Sequence, residues 1–147
     1  MTKVVIFGKD SQIGTGMSKN TFFNKKNIIF FNKEQLNITD EKIIKEVFKK
    51  NNPDILINLS AFTDVDKAEL NKQKALEING YALEKLSLIC NFYNCILIHF
   101  STDYIYDGEK NTKYTEDDLA NPKTIYGISK LIGEEIIKEK SKTYLIL

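Results

Sequence analysis

Tyr126 and Lys130 stand four positions apart in the stretch NPKTIYGISK, residues 121–130, behind a proline at what reads as the start of a helix. Side chains at that spacing share one helical face, a turn apart. A phenol ordinarily titrates near 10, so at neutral pH it holds its proton tightly. An ammonium about 5 Å away favours the phenolate by roughly 3 kcal/mol at an effective dielectric of about 20. That is about two pKa units downward, enough to bring the phenol toward acid-base work. By itself the pattern fits a solvated helix face far more readily, so the surrounding elements must decide.

Those elements alternate. The runs KVVIF (3–7), NIIFF (27–31), DILINLS (54–60), CILIHFS (95–101) and TYLIL (143–147) are of strand length and continuously apolar. Continuous runs predict strands buried on both faces, as in parallel sheets. Between them the spacing predicts helices over residues 13–23, 40–51, 67–79 with a broken continuation to 93, and 126–140. In the second, Ile43, Ile44, Val47 and Phe48 share a face opposite lysines. Such alternation implies right-handed βαβ units: an α/β, Rossmann-like, doubly wound parallel sheet with helices on both faces. Ligands of these sheets bind beyond the carboxyl ends of the strands. The fourth strand carries Thr102 at that end, where a hydroxyl can converge with the Tyr-Lys helix.

Straight after the first strand comes FGKDSQIGTG, in which Gly8 and Gly14 frame a turn that opens a helix. A first glycine allows the tight turn and a last one close helix packing, and the helix N-terminus offers unpaired N–H groups to a pyrophosphate. Ser11 holds the middle position, where a positive φ would cost a non-glycine residue roughly 1 kcal/mol. The second strand ends on Asn32 and Lys33. A basic residue there suits the 2′-phosphate of NADP, while the nearby Glu34 argues for NAD.

With the glycine turn, Thr102, Tyr126 and Lys130 in place, the chain resembles the short-chain dehydrogenase/reductase superfamily. The ordered segments GKDSQIG, NITD, PDILINLSAFTDVDKAE, STDYIYDG and NPKTIYGISKLIGEE narrow this to the dTDP-4-dehydrorhamnose reductase family. The resemblance implies reduction of the C4 carbonyl of dTDP-4-dehydro-L-rhamnose, a nucleotide-linked 4-keto-6-deoxy sugar, by NADPH, with NADH as the alternative. It implies Tyr126 as proton donor, Lys130 as tuner of the phenol and ligand of the nicotinamide ribose, and Thr102 as orienter of the substrate oxygen. Asp103 would assist sugar binding. Ser11, Gln12 and Ile13 would line the pyrophosphate, Asn37 and Ile38 the adenine, and Ala61, Phe62 and Thr63 the underside of the cofactor. Ile38 and Phe62 also fit plain packing roles, and Asp103 a turn cap.

Two departures from the family stand out. Asn37 replaces a common aspartate, and Gly16 stands where some members place a magnesium-binding glutamate in the first helix. The resemblance also admits a non-catalytic nucleotide-binding regulatory subunit and an inactive truncated reductase. Family members are about twice as long, so residues 1–147 read as the NADP-binding portion of a longer reductase, without its C-terminal substrate lobe. A homodimer is an open option for the full-length protein.

The bulk numbers exclude other classes. With 21 basic and 20 acidic residues the formal net charge is +1, which leaves no electrostatic footprint for nucleic acid or an anionic membrane. No apolar run approaches the roughly 20 residues that span a bilayer, and the N-terminus leads directly into a strand, so the expected location is the cytoplasm. Cys90 and Cys95 lack metal or redox spacing and read as reduced core thiols. His99, the only histidine, reads as a buried packing residue in an apolar strand.

Overall fold

The computed structural model describes residues 1–23 and 25–147. Five strands form one sheet, β1 (Val4–Phe7), β2 (Ile28–Phe31), β3 (Ile55–Asn58), β4 (Ile96–His99) and β5 (Tyr144–Ile146). Their spatial order is β2-β1-β3-β4-β5, and every pairing is parallel. The helices are α1 (Gln12–Lys19), α2 (Glu41–Asn51), α3 (Val65–Leu70), α4 (Lys72–Leu76), α5 (Ala82–Phe92) and α6 (Ile125–Lys140). This is the doubly wound α/β architecture expected from the alternation.

Side-chain caps open four of the helices, α1, α2, α3 and α6. Asp40 caps α2 by accepting from the N–H groups of Lys42 and Ile43 at 3.0 and 3.2 Å. Asn52 closes the same helix in the left-handed region at φ 44. Thr124 caps α6 by accepting from Gly127 N at 3.0 Å. The first helix is shorter than the expected 13–23, because Asn20 leaves it in an extended conformation and only a 3₁₀ turn follows at Thr21–Phe23. The stretch over 67–93 is broken as expected, but the break has a form of its own: α4 runs into a π-helical turn, Glu77–Tyr81, before α5. Such wide turns recur at functional sites.

The core lies on one side of the sheet. Val5, Phe7, Leu56 and Leu97 point to that side and meet Ile44 and Phe48 of α2, Leu83 and Leu86 of α5 and Ile137 of α6, all fully buried. The three rightward crossovers place those helices together, whereas the leftward crossover from β1 to β2 puts α1 on the opposite face. That second face is thinly covered. Ile6 is buried, but Ile55, Ile57 and Ile98 are half-buried and Ile96 is 39% exposed. The expectation of strands buried on both faces therefore holds for β1 and fails for β2, β3, β4 and β5. Two of these are the edges of the sheet, and one helix cannot cover a whole face. Among the described residues no helix is long and apolar enough to cross a membrane.

Candidate active site

The connections after β1 and β3 leave toward opposite faces, so a crevice opens between the carboxyl ends of these neighbouring strands. It holds about 230 Å³ and is lined by Gly8, Ser11, Lys33, Asn37, Ala61 and Thr63, among others. Gly8 sits at φ +88, and a Cβ there would lie 2.7 Å from the Leu59 carbonyl carbon and 2.8 Å from Ser60 N. A Cβ on Gly14 would lie 2.3 Å from the Gly8 oxygen. Backbone contact thus demands both framing glycines, as the turn chemistry predicts.

Ser11 corrects the expectation of strain. Its φ is −64, and it is the N-cap of α1, accepting from Gly14 N at 3.0 Å. The positive φ of the turn is carried by Gly8 alone, so the serine costs nothing. Among the described residues the N–H groups of Gln12 and Ile13 have no acceptor, and they stand at the first turn of α1 beside the crevice. Gln12, Ile13, Gly14 and Asn32 are not part of the lining itself. Asn32 instead trades hydrogen bonds with Gln35, at 2.9 and 3.1 Å. Lys33 is exposed on the lining and makes no ion pair among the described residues. The Asn37 oxygen is occupied by the N–H and hydroxyl of Thr39 at 3.1 and 3.0 Å, which leaves its amide nitrogen for a ligand. Ile38 lines the crevice and is also buried in the core. An open depression of about 690 Å³ over Asn37 and the first turn of α2 adjoins the crevice, away from the tyrosine.

Tyr126, the second residue of α6, is half-buried, with its ring edge-on to Tyr104 at 5.6 Å and 73°. Thr102 lies just beyond β4 and caps a short 3₁₀ turn, Asp103–Ile105, by accepting from Tyr104 N at 3.3 Å. The cap of this turn is therefore Thr102, while Asp103 opens the turn with its side chain exposed. One hydrogen-bonded path joins the crevice to the tyrosine. Asn79, in the π turn, accepts from Phe62 N at 2.7 Å and donates to Phe62 O at 3.0 Å and to Ser129 Oγ at 2.9 Å. Ser129 Oγ in turn donates to Tyr126 O at 2.7 Å. The π turn is what aims Asn79 inward, and Gly133 of α6 makes room, since a Cβ there would lie 2.2 Å from Asn79 O. Sequence reasoning missed Asn79 and Ser129; an asparagine amid an apolar helical run was the available signal. Asn79→Ala leaves the part-buried Phe62 backbone groups without their partner, so the unfolding free energy should fall by about 1–3 kcal/mol. Urea denaturation measures this, and a loss below about 0.5 kcal/mol would remove Asn79 as the clasp.

Lys130 has partners that its spacing did not announce. It is 2% exposed, with Nζ 3.0 Å from His99 Nε2 and donating to Phe100 O. His99 Nδ1 lies 3.0 Å from Asn58 Nδ2. The histidine is buried as expected, yet it belongs to a polar chain rather than to apolar packing. Burial holds Lys130 down to about 8 from 10.5, against the opposing pull of the Glu134 carboxylate. Burial first, and the neighbouring Lys130 second, push His99 well below the usual imidazole range. Both cysteines are free and buried.

Comparison with known proteins agrees with this arrangement. The family model described as "RmlD substrate binding domain" matches residues 1–147. The chain is 36% identical over 147 residues to the spore coat polysaccharide biosynthesis protein SpsK of Bacillus subtilis, covering 100% of this chain and 52% of that one. It is 31% identical over 148 residues to the dTDP-4-dehydrorhamnose reductase of Aggregatibacter actinomycetemcomitans, covering 100% of this chain and 50% of that one. The crystal structure of dTDP-4-dehydrorhamnose reductase from Bacillus anthracis in complex with NADP superposes with a TM-score of 0.93 at 31% identity, over 99% of this chain and 52% of that one. The chain spans about half the length of the curated relatives it matches. Matched by the family model from its first residue to its last, the chain belongs to the RmlD substrate binding domain family, as its resemblance to the dTDP-4-dehydrorhamnose reductases had led one to expect.

Proposed function

We propose that this chain is the NADP-binding part of a reductase that converts dTDP-4-dehydro-L-rhamnose to dTDP-L-rhamnose with NADPH, its substrate lobe lying in the rest of the full-length protein. The observation that carries this reading is the hydrogen-bonded path Phe62–Asn79–Ser129–Tyr126, which ties the wall of a dinucleotide-type crevice to a tyrosine at the mouth of α6. The residues present fit the cofactor. A glycine turn that no Cβ could enter and two unpaired N–H groups at the head of α1 suit a pyrophosphate. Lys33 would meet the 2′-phosphate and the Asn37 amide the adenine.

When bound, the nicotinamide supplies a hydride to the sugar carbonyl. The chain's own part is to handle the charge that then develops on oxygen. Tyr126 gives its phenolic proton to the nascent alkoxide, Thr102 orients that oxygen, and Lys130 sets the ease with which the phenol releases its proton. We place this reaction in the cytoplasm, where buried thiols such as Cys90 and Cys95 stay reduced.

The test is turnover by the full-length protein. Oxidation of NADPH should depend on a dTDP-linked 4-keto-6-deoxy sugar, and cofactor binding without turnover would instead mark a regulatory nucleotide-binding subunit. Separate titrations should show NADPH binding more tightly than NADH. Lys33→Asp should move that ratio toward NADH by roughly tenfold or more, the worth of one charge-assisted hydrogen bond. Tighter binding of NADH by the unaltered protein overturns the NADP assignment.

A further inference from the structure

Behind the crevice lies a row of buried polar groups that ends on Lys130, and the reduction gives its other two members, Asn58 and His99, no task. Asn58 at the end of β3, His99 at the end of β4 and Lys130 on α6 are 0, 1 and 2% exposed. The direction of each hydrogen bond in the row follows from its first member. Ser60 N–H points at Asn58 Oδ1, 3.1 Å away. A backbone N–H only donates, so the amide oxygen faces Ser60 and the amide nitrogen faces His99 Nδ1 at 3.0 Å. An amide nitrogen also only donates. His99 Nδ1 must therefore present a lone pair, and the neutral ring carries its proton on Nε2. That N–H faces Lys130 Nζ at 3.0 Å, and only an uncharged amine can accept it. An ammonium in the same place sets N–H against N–H, and the other tautomer sets the Asn58 amide against Nδ1–H.

We propose that Asn58 and His99 are positioning residues that transmit the fixed direction of the Ser60 N–H to Lys130, making the uncharged amine its hydrogen-bonded form, so that Lys130 exchanges its proton in turnover instead of standing as a permanent cation. Only the words about turnover rest on the reductase reading; the tautomer and the proton affinity are properties of the chain itself.

The groups around Lys130 agree. From its own helix, Glu134 favours the ammonium, but that carboxylate also accepts from Ser101 Oγ and from Lys138 Nζ at 3.2 Å, which spreads its charge. Tyr126 stands one turn earlier on α6. From β4 comes His99, and from the segment after it the Phe100 carbonyl, which can accept from the amine and accepts more strongly from the ammonium. The π turn offers the neutral Asn79 and Gly80, its one carboxylate, Glu77, being exposed. The midpoint of Lys130 near 8 is consistent with an amine reached within the working pH range.

Nuclear magnetic resonance of the protein with ¹⁵N-labelled histidine, without cofactor, reads the tautomer directly. His99 is the only histidine in the sequence, and His99→Gln assigns its signals by removing them. At about pH 9, above the Lys130 midpoint, we expect a protonated Nε2 and an unprotonated Nδ1; a protonated Nδ1 there overturns the proposal. Asn58→Asp supplies the second arm. Its carboxylate accepts from both the Ser60 N–H and a ring Nδ1–H, so the tautomer should switch and Nε2 become an acceptor for the ammonium. The Lys130 midpoint, followed by ¹³C-labelled lysine, should then rise by about one unit or more, tenfold in proton affinity. An unchanged tautomer in the folded variant refutes the relay, and if the variant does not fold the wild-type spectrum decides alone. Neither measurement depends on turnover, so a protein that fails the reductase assay still tests the relay.

Discussion

Replacing Tyr126 by phenylalanine in the full-length protein should lower kcat by about 10²- to 10⁴-fold, the usual worth of a positioned general acid. The structure makes this substitution clean. The ring packs edge-on against Tyr104 at 5.6 Å, a contact phenylalanine keeps. Among the described residues the phenol has no hydrogen-bond partner, so no buried group is orphaned when the oxygen goes. The main-chain oxygen of Tyr126 still accepts from Ser129, and the clasp to Asn79 and Phe62 persists. NADPH affinity should therefore stay within about twofold, because nothing that lines the crevice has changed. Steady-state kinetics beside a fluorescence titration separate the two effects. Wild-type kcat in the phenylalanine variant removes Tyr126 as the proton donor and turns attention to Thr102.

A second large effect is expected at Gly8. Alanine there adds a Cβ 2.7 to 2.9 Å from the Leu59 and Ser60 backbone, and the residue must hold φ +88. The left-handed conformation costs roughly 1–2 kcal/mol and the overpacking roughly 1–3 kcal/mol more. Neither neighbour is a side chain able to swing aside; both are main-chain atoms at the end of β3. Relief comes only by parting β1 from β3, which widens the crevice and misplaces the head of α1. Gly8→Ala should thus lose about 2–5 kcal/mol of stability and most of its NADPH affinity together. Wild-type affinity in a destabilised variant would show that the turn does not hold the cofactor.

The local parts of this protein were legible from residue order. Continuous apolar runs marked all five strands, and Gly8 and Gly14 marked the turn whose backbone contacts the structure displays. What stayed hidden depends on distant partners. Asn79 meets Phe62 across 17 residues and Ser129 across 50, so no local pattern could separate it from a solvated asparagine. His99 meets Asn58 and Lys130 across 41 and 31 residues, and an apolar strand gave no hint that its ring would carry directed hydrogen bonds. The strain assigned to Ser11 came from a glycine-rich template; the chain avoids it by using the serine as a helix cap. Apolar runs also say how a strand is built, not how much lies over it, which is why Ile57 and Ile98 were expected to be more buried than they are.

The interior place of β1 in the sheet also sets when that strand can be completed as the chain folds. Val4 pairs with Ile28 on one side and with Ile55 on the other. Among the described residues no pair of strands is antiparallel, so no hairpin of the sheet can form early and serve as a nucleus. Strand β1 thus waits through two crossovers for its second partner. Until residues 55–58 are released, Val5, Ile6 and Phe7 lack one neighbouring strand and the helices that will bury them. Until then that short segment is open to a chaperone or a neighbouring nascent chain.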